Sequence, residues 1–126
     1  MRILVTGATG YLGGAILAAC QRSGHQTVAF SRHATAAGVA GQAVDGDVRD
    51  RSALRAAAAG CDAICHSAAL VSVWRKNAAE FDEVNVGGLR NVIEVAHELR
   101  TPRLVYTSSF LALPAGGEQR PGRWTA

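Results

Sequence analysis

Long apolar runs and blocks of like charge are missing from this chain of 126 residues, and lysine is nearly so. No stretch approaches the ~20 apolar residues that cross a bilayer, so no membrane span is expected. No basic segment precedes a short hydrophobic one at the start, so secretion is not expected and a cytoplasmic location is. Twelve arginines stand beside the single Lys76, scattered along the chain with a net charge of +3. That pattern offers no arm for nucleic acid. Cys20, Cys61 and Cys65 are an odd number in apolar settings, without the spacing and second ligand pair of a zinc site. Buried reduced thiols are expected instead, and no metal.

What is present fits a soluble α/β domain: 48% hydrophobic and 18% charged residues, in a length that allows one domain with a real core. Met1-Arg2-Ile3-Leu4-Val5 is a short apolar run of the buried-strand kind. After it come Gly7, Gly10 and Gly13, and then Leu12, Ala15, Ile16, Ala19 and Cys20 at the spacing of one helix face. The glycines therefore fall at a strand-to-helix turn, the context that a dinucleotide-binding motif requires. Gly7 permits a tight turn, Gly10 lets a pyrophosphate approach the main chain, and Gly13 lets the helix pack closely. The first helical amides, around Tyr11 and Leu12, would direct free N–H groups at the phosphates. An ordinary glycine turn is the competing reading.

Ser23-Gly24-His25 is a glycine helix stop, and Gln26–Ser31 reads as a second strand. At its end stands Ser31-Arg32-His33, with no acid. A carboxylate there would grip a ribose 2′-hydroxyl, whereas arginine suits a 2′-phosphate. The expectation is NADP(H), with NAD as the alternative and Ser31 and Arg32 beside the phosphate; a solvated surface arginine is the other possibility. Residues 34–41 read as a connecting loop with a helical turn, and Gln42-Ala43-Val44 as a third strand. Asp50 is placed to cap a helix over Arg51–Ala59. Cys61–His66 reads as a fourth strand, Ala78–Leu99 as a long helix, and Arg103–Thr107 as a fifth strand. The helix stripe is Phe81, Val84, Gly88, Val92, Val95, Ala96 and Leu99, with Asn85 on the same face. A buried amide there must find partners. The alternation predicts a doubly wound parallel α/β sheet in the order 3-2-1-4-5.

The spacing Gly-x-x-Gly-x-x-Gly in Thr6–Gly13 resembles the short-chain dehydrogenase/reductase superfamily, in particular its extended branch, the NAD-dependent epimerase/dehydratase family. His66-Ser67-Ala68-Ala69, the helix motif Asn85-Val86-Gly87-Gly88-Leu89-Arg90-Asn91-Val92 and the strand Val105-Tyr106-Thr107-Ser108-Ser109 resemble that branch too, with Leu89 in place of the usual threonine. The resemblance implies several roles. Asp47 and Val48 would flank adenine, where an Asx turn or cap is the bland reading. Small Ala68 and Ala69 would let the cofactor ribose lie against the backbone. His66 would be a structural histidine rather than a base. Asn85 would hold the active-site backbone. Ser109 would be the catalytic serine, with Ser108 in reserve, or else a plain strand-end serine. Trp74 would line the substrate site or cover the helix behind it.

The motif set is most similar to the dihydroflavonol-4-reductase-like group. The resemblance therefore implies hydride transfer between NADP(H) and a ketone or secondary alcohol. Nucleotide-sugar epimerase or dehydratase is the second reading, and a catalytically silent nucleotide-binding module the third. The partner would be a small carbonyl compound or a nucleotide sugar, with homodimers in full-length relatives. The family's Tyr-x-x-x-Lys proton-donor pair is missing, because Ala15 and Phe110 stand four residues after Tyr11 and Tyr106. The expectation is that residues 1–126 are a partial dinucleotide-binding domain, without the last strands and the substrate domain and inactive alone. The fifth strand would then be an uncovered edge, and the fragment marginally stable.

Overall fold

The computed structural model describes residues 1–72 and 77–109. Strand β1 (Arg2–Thr6) leads through the glycine turn into α1 (Tyr11–Arg22) and β2 (Gln26–Ser31). Then follow β3 (Gln42–Asp45), α2 (Arg51–Ala58) and β4 (Ala63–His66). One helical run comes next: α3 (Ala79–Asp82), a π-helical segment (Glu83–Gly87) and α4 (Gly88–Glu98), before β5 (Arg103–Tyr106). All strand pairs are parallel, in the order β3-β2-β1-β4-β5, as the alternation predicts.

Side-chain alternation along the strands sorts the core into two layers. Leu4, Val28, Phe30 and Ile64 face one side, where they pack with Leu54 and Ala57 of α2 and Val92 and Val95 of α4. Ile3, Val5, Ala29 and Ala63 face the other and meet Leu17 of α1. Helices thus cover both faces, the arrangement that keeps a parallel sheet out of water. Helix α2 starts where expected, with the Asp50 carboxylate accepting from the Ala53 amide at 3.0 Å. It is tied to α4 by Arg51, which pairs with Glu94 at 2.8 Å and with Glu98.

Three expectations need correction. The buried face of α1 is Gly13 and Leu17 with half-buried Ile16 and Cys20, while Leu12, Ala15 and Ala19 are exposed. The face is set by the need to seat Gly13 against the turn rather than by the most apolar stripe. The long helix is not uniformly α-helical, since a π-helical turn lies across Asn85. Close approach explains Gly88, whose Cβ would lie 2.7 Å from Val48 Cγ2, but it does not explain Gly87, whose nearest neighbour is at 3.7 Å. Of the three free thiols only Cys61 is buried, Cys20 and Cys65 being half-buried. Burial pushes the Cys61 and Cys65 thiols up, away from the reactive thiolate. Strand β5 pairs with β4 alone among the described residues, and Leu104, Val105 and Tyr106 stay exposed.

Candidate dinucleotide site

The carboxyl ends of the strands surround a cavity of about 230 Å³. Its floor is the turn after β1. The Gly7 amide donates to the Phe30 carbonyl at 3.0 Å, and the Gly10 amide to the Gly7 carbonyl at 2.9 Å. Gly7 has φ +68°, and a Cβ on it would sit 2.8 Å from the backbone of Ala68. On Gly13 a Cβ would lie 2.0 Å from the Gly7 carbonyl oxygen. Backbone from three elements thus meets at distances that only glycine allows. Tyr11 is 99% exposed and Leu12 44%, so this end offers a ligand main-chain amides rather than side chains.

The ends of β1 and β4 are stitched together beneath that turn. Ser67 Oγ donates to the Thr6 carbonyl at 2.8 Å, and the Ala68 amide to Thr6 Oγ1 at 3.3 Å. His66 is 1% exposed; its Nδ1 shares a 2.7 Å hydrogen bond with Thr6 Oγ1, and its ring stacks on Tyr106 with centroids 5.7 Å apart. Burial pushes its pKa down to about 4, so at neutral pH the imidazole is uncharged.

At the end of β2, Ser31, Arg32 and His33 line the cavity, Ser31 being buried and the other two exposed. Among the described residues Ser31 Oγ is buried without a hydrogen-bond partner, whereas the nearby carboxylates of Asp45 and Asp47 accept hydrogen bonds. Asp45 accepts from the Thr35 amide at 2.8 Å. Asp47 accepts from Arg49 three times: Oδ1 from the amide at 2.9 Å and from Nε at 3.1 Å, Oδ2 from Nη2 at 2.7 Å. The Arg49 guanidinium holds the Asp47 carboxyl below its ordinary range.

Gly7, Gly10, Ser31, Arg32, Asp47, Val48, Ala68 and Ala69 are thereby brought to one cavity. Tyr11, Leu12 and Gly13 flank it at the start of α1, while Ser109 is exposed past β5 and does not line it. Asn85 finds the partners that its position demands: Oδ1 accepts from the Leu70 amide at 2.7 Å, and Nδ2 donates to the Leu70 carbonyl at 3.1 Å. Sequence reasoning missed Arg49, which lines the cavity and holds Asp47. Its only signal was an arginine two residues after an aspartate in a turn. Trp74, Phe110 and the tail 113–126 lie outside the described residues. Among the described residues no cluster of three metal-ligating side chains occurs, and no helix is long and apolar enough to cross a membrane.

Comparison with known proteins agrees with this geometry. Residues 3–126 match the NAD dependent epimerase/dehydratase family. The chain is 38% identical over 132 aligned positions to sterol demethylase protein B of Methylococcus capsulatus, covering 99% of this chain and 40% of that protein. It is 37% identical to a 4-hydroxy-2-methyl-3-oxo-4-farnesyl-3,4-dihydroquinoline-1-oxide ketoreductase of Stigmatella aurantiaca, covering 92% of this chain and 36% of that one. Among solved structures, the UDP-glucose-4-epimerase of Stenotrophomonas maltophila, with bound NAD and formylated UDP-arabinopyranose, superimposes with a TM-score of 0.76. It is 28% identical and covers 88% of this chain and 38% of that one. The chain thus spans 40% or less of the length of these three proteins.

Proposed function

The chain belongs to the NAD dependent epimerase/dehydratase family, and from that premise we propose that it holds NADP(H) for the reduction of a ketone or the oxidation of a secondary alcohol. The observation that carries the cofactor reading is the end of β2, where Ser31, Arg32 and His33 face the cavity and none of the three is an acid. The residues fit a dinucleotide. Gly7 and Gly13 stand where a Cβ would overlap neighbouring backbone, which keeps the turn free of side chains, and among the described residues the buried Ser31 hydroxyl has no hydrogen-bond partner.

A bound nicotinamide supplies or takes up the hydride. The chain's own residues do the rest. The first-turn amides of α1 hold the diphosphate. Arg32 pairs with the 2′-phosphate as a permanently charged, planar donor. Asp47 and Val48 take the adenine, and Ala68 and Ala69 leave room for the ribose. Ser109 hydrogen-bonds the substrate oxygen and so orients the carbonyl. His66 acts as a brace rather than a base, for it is neutral, buried and engaged with Thr6. Neither tyrosine is followed four residues on by lysine, so these 126 residues bind and orient without a proton donor of the family type. On this reading the chain is a cytoplasmic, partial dinucleotide-binding domain, silent as a catalyst by itself. Epimerisation or dehydration of a nucleotide sugar is the second reading, favoured by the sugar-nucleotide-bound epimerase of the same fold.

Calorimetric titration with NADPH and NADH, paired with a ketone-reduction assay on the same sample, tests this. NADPH is expected to bind at least tenfold more tightly than NADH, without turnover. Failure of both cofactors to bind at saturating concentration overturns the site. A preference for NADH overturns the phosphate reading, and turnover overturns the silent one.

A further inference from the structure

The base end of the cavity lies on the segment between β3 and α2, which belongs to no strand or helix. Something other than the sheet must therefore fix where Asp47 points. Asn91 of α4 reaches it from behind: Nδ2 donates to the Val48 carbonyl at 2.9 Å and to the Arg49 carbonyl at 3.2 Å. One side-chain amide thus reaches two successive carbonyls. A turn earlier on the same helix, Gly88 lets the backbone close onto Val48. The Arg49 side chain continues the linkage, donating to Glu83 Oε2 at 3.4 Å and enclosing the Asp47 carboxylate. Backbone and side chain of the segment are both tied to the helical run 79–98. Among the described residues Oδ2 of Asp47 accepts one hydrogen bond, from Arg49 Nη2, and keeps acceptor capacity for a ligand.

We propose that Asn91 is a positioning residue that sets base selectivity: by holding the Val48 and Arg49 carbonyls to α4, it aims the Asp47 carboxylate at the 6-position of the bound purine. This rests on the dinucleotide reading. An ionised carboxylate accepts from the 6-amino group of adenine and is repelled by the 6-oxo group of hypoxanthine. Asn91 therefore governs a ratio of affinities, which a merely structural residue does not.

The test titrates NADH, deamino-NADH and reduced nicotinamide mononucleotide into the unsubstituted chain, Asn91→Leu and Asn91→Ser. The unsubstituted chain is expected to favour NADH over deamino-NADH about tenfold. Asn91→Leu should reduce that preference below threefold while leaving the mononucleotide unchanged within twofold. Asn91→Ser, which keeps one donor, should fall between them. A preference that survives while all affinities drop together overturns the inference. Should both variants fail to fold, the side-chain amide protons of Asn91 in the unsubstituted chain decide by NMR. Their exchange with water should slow more with AMP than with IMP, and equal or absent slowing overturns the proposal. Failure of the unsubstituted chain to bind any dinucleotide strikes the underlying reading; binding with a ratio indifferent to Asn91 strikes this inference alone.

Discussion

The two ends of the cavity are made of different material. At the start of α1 the lining is main chain, and side chains matter only by their absence: Gly7 and Gly13 occupy positions where a methyl group would overlap backbone. Between β3 and α2 the lining depends on side chains, with Asp47 gripped by Arg49 and the segment pinned by Asn91. A main-chain site is rigid and all-or-none, because its donors are spaced by covalent geometry. A site of side chains responds by degrees, since each contact can be removed without displacing the rest. Sensitivity to substitution should therefore fall sharply from the first end to the second.

Gly13→Ala tests the steep end. The added carbon would lie 2.0 Å from the Gly7 oxygen and 2.6 Å from its carbonyl carbon, so either the turn or α1 must move. A stability loss of about 3 kcal/mol or more is expected, together with loss of dinucleotide binding, read from the denaturant midpoint and by titration. Gly14→Ala is the control. Its nearest neighbour would be the Ala8 oxygen at 3.6 Å, an ordinary contact. Higher helix propensity should there stabilise the chain by ~0.5–1 kcal/mol.

Acid separates the two ends next. Above pH 6.5 His66 is neutral in both folded and unfolded chains. Below it the unfolded chain takes up a proton that the buried ring, with its pKa pushed down to about 4, refuses. Stability is therefore lost as pH falls from 6.5 towards 4, by up to about 3 kcal/mol at the lower end. Asp47 acts in the same direction but in a lower pH window. Its folded pKa is lowered below 3.8, so its contribution is intact above that value and is lost only as pH falls through the depressed one. The stitched strand ends under the glycine turn should open first on acidification. His66→Gln should flatten the stability profile between pH 6.5 and 4 in chemical denaturation series; an unchanged slope would assign the acid sensitivity elsewhere.

The same contrast decides what was readable in the sequence. Main-chain geometry leaves its mark locally, because a close approach within a few residues demands glycine. The turn, the sheet order and the Asp50 cap were all legible for that reason. The long-range ties were not. Asn91 meets Val48 and Arg49 across 43 and 42 residues, and nothing near Asn91 in the chain announces a loop that packs against it. The stripe chosen for α1 failed for a related reason. Hydropathy favours Leu12 and Ala15, yet the helix turns Gly13 inward because the Gly7 carbonyl leaves no room for a side chain there. Sterics overrode apolarity.

Between the extremes stands Arg32, an exposed side chain at the rim. Arg32→Ala should weaken NADPH about tenfold, ~1.4 kcal/mol, and leave NADH unchanged, since only the former carries the 2′-phosphate. Equal losses for both cofactors would make Arg32 a general electrostatic contributor and return the choice of cofactor to the backbone end.

The smallest effect on stability is expected at Arg49, although it makes the most contacts of any side chain at the base end. Its ion pairs with Asp47 and Glu83 are solvent-accessible, with side chains 37%, 27% and 55% exposed. Pairs of that kind contribute under about 1 kcal/mol. Arg49→Gln should thus barely move the unfolding midpoint. The Asp47 carboxyl should nevertheless titrate upward towards its ordinary value, followed by NMR of the carboxyl carbon, because the Arg49 hydrogen bond is the main influence that lowers it. Arg32 acts on the same carboxylate through space. An Asp47 that stays depressed in Arg49→Gln would mean that the 2′-phosphate arginine also tunes the base contact. The side-chain end would then be one coupled electrostatic unit rather than a set of separable contacts, and its graded response would be lost.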